Sequence, residues 1–144
     1  MSEQVMLDVR NLKVIFPSAA GVVRAVEGVD LTVHQGECVA LVGESGCGKS
    51  VTSQAIMRLL ESPPALVRSD KLELNGKELS TLSSAQLQEV RGKDVSLIFQ
   101  DALTALNPVM TVGRQLDEVF LRHGCKSRRE AKANSIAVLR LVGV

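Results

Sequence analysis

Gly43-Glu44-Ser45-Gly46-Cys47-Gly48-Lys49-Ser50 spells G-x-x-x-x-G-K-S, the phosphate-loop pattern, and the rest of the chain is read outward from it. A triphosphate needs several hydrogen-bond donors converging on one small volume. Glycines let the backbone wrap tightly with its N–H groups turned inward. Lys49 adds a mobile positive charge for the β- and γ-phosphates, and the Ser50 hydroxyl is placed for a Mg²⁺ ion. A helix opening at the loop adds its positive N-terminal end.

The flanks decide whether the pattern means anything. Before it, Glu37-Cys38-Val39-Ala40-Leu41-Val42 is a short apolar run ending at a glycine, which predicts a buried parallel strand. After it, Val51, Ala55, Ile56, Leu59 and Leu60 recur at helical spacing, which predicts a helix over 50–60. Strand, glycine loop and helix is the order that phosphate binding requires. The bare pattern alone turns up by chance about once in two hundred chains of this length.

Composition narrows the remaining possibilities. The chain has 144 residues, 45% apolar and 23% charged, enough for one small globular domain. Its formal net charge is +1, so no global field draws nucleic acid or an anionic membrane. Aromatics are 2%, with no Trp or Tyr, which argues against base-stacking platforms. Cys38, Cys47 and Cys125 show no metal spacing and read as reduced thiols, with Cys47 inside the loop and open to thiol reagents. No signal peptide or long apolar span is visible.

Val5, Leu7 and Val9, then Leu12, Val14 and Phe16, suggest two strands broken near Asn11. Pro17 to Gly21 reads as a turn, and Val29, Leu31 and Val33 share one face of the next strand. Pro63 and Pro64 stop the loop helix. Leu72 to Glu78 reads as a strand with an Asn75-Gly76 tight turn. Ser83 and Gln86 suggest a capping box for a short helix to Arg91, and Val95–Phe99 reads as a second buried strand. Thr111 caps a helix to His123 closed by Gly124, and Ser127 with Glu130 caps a last helix. Ala133, Ile136, Ala137 and Leu141 form its apolar stripe. His34 and His123 read as surface or cap residues.

In this order the chain resembles the nucleotide-binding subunit of an ABC transporter, of the oligopeptide/dipeptide (and nickel) importer family. The resemblance rests on Ala40 to Thr52, Arg91-Gly92-Lys93-Asp94, Leu97-Ile98-Phe99-Gln100-Asp101, Thr104 to Pro108 and Thr111-Val112-Gly113. It implies an α/β P-loop NTPase of ABC type. An antiparallel β layer (residues 1–36) precedes a P-loop core (37–100), and the start of a helical subdomain (101–144) follows. It implies that ATP is held by Gly43, Glu44, Ser45, Gly46, Cys47, Gly48, Lys49, Ser50 and Val51, and Mg²⁺ by Ser50 and Gln100. Gln100 matches the Q-loop glutamine that senses the γ-phosphate, and the residues after it match the face that grips a membrane subunit. Phe16 matches the aromatic that stacks on adenine; from the residues alone it reads equally as the end of a core strand. The resemblance implies further partners: a second ATP-binding subunit, permease subunits and a solute-binding protein, but no nucleic acid. The implied location is peripheral, on the cytoplasmic side of the inner membrane.

Two departures from the family are visible. Ala102 stands where the family usually has Pro. The L-S-G-G-Q type signature, the apolar strand ending in Asp-Glu and a switch histidine do not occur before Val144. The resemblance therefore covers an N-terminal half, from a truncated gene, a fragment or a designed piece, and no catalytic base is assigned. In the family two later strands separate the strand before the loop from the one before Gln100. Residues 39–42 and 95–98 are therefore expected on the order of 14 Å apart and unpaired. A soluble ABC-type ATPase of DNA repair or translation is the rival reading, disfavoured by Leu106-Asn107-Pro108; an inactive fragment is the third.

Overall fold

The structure is a computed structural model that describes residues 4–19, 21–100 and 106–144. The readings placed on Asp101, Ala102, Thr104 and Ala105 lie outside the described residues. The chain forms two compact units, Met1–Leu87 and Gln88–Val144.

The first unit is built on a long hairpin of β1 (Val5–Ser18) and β2 (Gly21–His34). The other edge of β1 takes β4 (Lys71–Leu74) along its first half and β3 (Leu66–Arg68) along its second, and β5 (Lys77–Glu78) pairs with β4. The two strands expected near Asn11 are one strand carrying a bulge. Asn11 sits at φ 50, its N–H donates to Asp30 Oδ1 at 2.6 Å, and its Nδ2 donates to Asp70 Oδ2 at 2.9 Å. The extra residue switches parity, so Val9 on one side of it and Leu12 and Val14 on the other all point inward and are fully buried. The sequence records that switch as the change from odd to even apolar positions. At Asn75-Gly76 both residues have positive φ (48 and 76), as a two-residue primed turn demands.

The first helix, α1 (Lys49–Ile56), packs on β1 and β2 through Thr52, Ala55 and Ile56. It ends earlier than the apolar spacing predicts. Arg58 takes a left-handed φ of 52, its N–H donates to Ala55 O, and Leu59 N–H donates to Gln54 O. This is a Schellman closure with arginine in the usual glycine position. The Arg58 guanidinium donates to Leu79 O and Leu82 O at 2.8 and 2.7 Å, which anchors that conformation.

On the sheet surface Asp8 accepts from Lys71 Nζ at 2.9 Å and lies 2.8 Å from Arg10 Nε. The Lys71 bond chiefly holds the Asp8 carboxyl below its ordinary value; partial burial opposes the shift and Arg10 adds to it. A carboxyl depressed in the folded state stabilises above its unfolded value, and that contribution is lost as pH falls through the folded one. Asp8→Asn should therefore lower the melting temperature at neutral pH and make the profile flatter below about pH 3.8. An acid limb as steep as that of wild type would contradict this.

Two expected strands are absent. Residues 37–42 form no strand, and Val42 is 90% exposed. Residues 96–99 form none either: Val95 makes a single bridge to Arg91, and Ile98 is 92% exposed. A parallel strand exists only where neighbours supply its ladder bonds, and among the described residues nothing pairs with either run. An apolar run signals a strand suited to burial, not the partner that buries it.

α2 (Ser84–Val90) runs from the end of the first unit into the second, its N-terminus closed by Ser83 and Gln86 in reciprocal bonds. There follow α3 (Val112–His123), capped by Thr111 and ended at Gly124, and α4 (Arg128–Leu141), capped by Ser127. The stripe expected to bury α4 faces outward, with Leu141 85% exposed. The buried face is Ala131 and Ser135 instead. Ser135 Oγ donates to Asp117 Oδ1 of α3 at 2.6 Å, and small Ala131 lets the helices approach. A polar contact between small residues, invisible to an apolar-spacing test, sets the rotation of α4.

Candidate phosphate-binding site

The chain reaches the loop through a tight turn. Gly36 has φ 76, Glu37 N–H donates to His34 O, and the Glu37 carboxylate accepts from His34 N–H at 2.7 Å and faces His34 Nδ1 at 3.0 Å. These contacts, the backbone bond foremost, hold the Glu37 carboxyl below its ordinary value. His34, the last residue of β2, thus has a carboxylate partner, one that spacing did not single out.

The loop then folds on itself. Cys47 N–H donates to Glu44 O at 3.3 Å, and Gly46 and Gly48 stand at φ 83 and 91. Gly48 is the N-cap of α1, and its carbonyl accepts from Thr52 N–H at 2.8 Å and Thr52 Oγ1 at 2.9 Å. The N–H groups of Lys49, Ser50 and Val51 have no acceptor inside the helix, and the helix dipole makes this end positive. The loop and the helix terminus together make an anion-binding geometry.

One loop glycine is fixed by backbone, and another is crowded only by a side chain. A Cβ on Gly48 would strike the carbonyl oxygen of Ala25 in β2, and one on Gly43 would lie 2.6 Å from Cys47 Sγ. A Cβ on Gly46 would meet nothing within 4 Å, so only its positive φ requires glycine. Ala25 thus shapes the site through its backbone. No local signal marks it, because the contact is made across the fold.

Lys49 Nζ bends back over the loop and donates to Gly43 O at 2.7 Å and Glu44 O at 2.6 Å, with Cys47 Sγ at 3.3 Å. The ammonium therefore ties the two ends of the loop together. Its third, weakest contact is to sulfur, the one a phosphate oxygen most easily replaces. Glu44, Ser45 and Ser50 are exposed. Among the described residues no three His, Cys, Asp or Glu side chains form a metal cluster. A hard cation here would depend on oxygen donors, and the Ser50 hydroxyl is one that fits.

The two remaining candidates lie elsewhere in the chain. Phe16 is half-buried in β1, paired opposite Val23 near the hairpin end. Gln100 belongs to the second unit, exposed and outside any helix or strand. No helix among the described residues is long and apolar enough to cross a membrane.

Comparison with known proteins adds independent findings. Residues 26–143 match the ABC transporter family. The oligopeptide transport ATP-binding protein OppD of Bacillus subtilis is 45% identical, over 96% of this chain and 39% of its own length. The dipeptide transport ATP-binding protein DppD of the same organism is 48% identical, over 96% of this chain and 42% of its own. A putative peptide import ATP-binding protein of Brucella melitensis is 42% identical, over all of this chain and 44% of its own. The chain thus spans about two fifths of the length of these relatives.

Proposed function

The chain belongs to the ABC transporter family, and from that premise we propose that it grips ATP as part of an importer subunit that energises uptake of peptides or a related solute. The observation that carries the reading is the loop from Gly43 to Ser50, which closes on the Lys49 ammonium and opens directly into α1. In this proposal the N–H groups from Gly46 to Val51 and the Lys49 ammonium hold the β- and γ-phosphates. Phe16 faces the adenine. Ser50 and Gln100 hold Mg²⁺, which when bound screens the phosphate charge. The proposed partners are a second ATP-binding subunit, permease subunits and a solute-binding protein, with the chain peripheral on the cytoplasmic side of the membrane. The peptide assignment comes from the relatives' names, which speak of oligopeptide, dipeptide and peptide transport.

Binding and turnover separate in this proposal. Phosphoryl transfer needs a cradle, a metal and a positioned water. Residues 1–144 supply the cradle and part of the metal site, and their sequence holds no apolar strand ending in Asp-Glu. A polypeptide of these residues should bind MgATP yet release phosphate no faster than its Lys49→Ala variant. Failure to bind nucleotide would overturn the proposal. Phosphate release that exceeds the variant's would overturn the division of labour.

A further inference from the structure

The net charge of +1 hides a local excess. Lys126, Arg128, Arg129 and Lys132 stand together where α3 turns into α4, and all four are exposed. Glu130 is the one carboxylate among them, and it is engaged as a helix cap, accepting from Lys126 N–H at 3.1 Å. Among the described residues none of the four cations forms an ion pair. Arg128 and Arg129 occupy the first turn of α4, at the positive end of the helix dipole, where a cation is disfavoured. Charges placed against their own helix, without a partner, mark a constraint other than folding. Asp117 and Glu118 of α3 line one cavity with Arg128 and offset part of its charge, so Lys126, Arg129 and Lys132 carry most of the excess.

We propose that the α3–α4 turn, through Lys126, Arg128, Arg129 and Lys132, docks on the anionic lipid headgroups of a bilayer. The proposal rests on the importer reading, which seats the chain beside a membrane. A single-stranded nucleic acid is the less fitting anion, since the chain carries 2% aromatic residues and no Trp or Tyr to stack on bases.

Vesicle flotation of the full 144-residue chain tests this. The chain should float with equal mixtures of phosphatidylglycerol and phosphatidylcholine, stay behind with phosphatidylcholine alone, and be released by salt. Each cation near an anionic surface is worth roughly fivefold in partitioning. The combined variant Lys126→Gln, Arg128→Gln, Arg129→Gln, Lys132→Gln should therefore bind on the order of six-hundredfold more weakly. Its helix content should hold or rise, because two cations leave the positive end of α4. A control that removes equal charge elsewhere, Lys13→Gln, Arg24→Gln, Arg68→Gln, Lys93→Gln, should float like wild type. Equal flotation on neutral vesicles, an unaffected cluster variant, or an equal loss in the control overturns the proposal. Tighter binding to duplex nucleic acid than to vesicles would overturn it in favour of that partner. MgATP binding, measured on the same samples, keeps the two readings apart. A chain that binds nucleotide but not anionic vesicles refutes only the docking surface.

Discussion

Gly48→Ala should melt on the order of 15 °C below wild type and lose nucleotide binding, the largest stability effect expected of any single methyl in the chain. Two costs coincide at this position. A side chain at φ 91 is strained, and its Cβ would strike the Ala25 carbonyl oxygen. That oxygen belongs to β2, whose register with β1 forms the core of the first unit, so it cannot step aside cheaply. Together the two costs come to about 3 kcal/mol, more than the strain alone. Gly46→Ala separates them. Its φ is 83 but its Cβ has open space, so it should cost roughly 1 kcal/mol. Equal melting temperatures for the two variants would show that the Ala25 contact does not shape the loop.

Lys49→Ala should leave the fold nearly intact and weaken MgATP binding at least about a hundredfold. A charge-assisted hydrogen bond contributes about 1.5–3 kcal/mol, and in the proposed complex the ammonium would meet two phosphates. In the free chain its bonds to the Gly43 and Glu44 carbonyls are solvent-accessible, so their loss should barely move the melting temperature. Lys49→Arg should not rescue binding, because a planar guanidinium cannot sit over the loop as a compact point charge does. Wild-type affinity in Lys49→Ala would remove the loop from the binding site.

Local chemistry was legible in the sequence where it acts over a few residues. The glycine loop opening α1, the Asn75-Gly76 turn and the Ser83, Thr111 and Ser127 caps all lie where spacing puts them. The inward face of β1 follows the apolar alternation once the Asn11 bulge is allowed for, while the hairpin register shifts at three further places. What was not legible depended on partners far along the chain. Residues 37–42 and 96–99 are apolar enough for buried strands, but strand formation belongs to the pair, and the described residues offer no pair. The rotation of α4 turns on Ser135 meeting Asp117, and the tight seat of Gly48 on a backbone oxygen of Ala25. Neither contact leaves a periodic trace. Family membership, by contrast, was carried by short contiguous runs such as Ala40 to Thr52, and these survive in any reading of the fold.

The central claim is that Gly43–Ser50 and the first turn of α1 hold a triphosphate. Backbone amide resonances followed during MgATP titration test it most directly. Saturable shifts should concentrate at Gly46, Gly48, Lys49, Ser50 and Val51, be absent in Lys49→Ala and be weaker with adenosine alone. Shifts of equal size with adenosine, or saturable shifts that bypass these five amides, would contradict it.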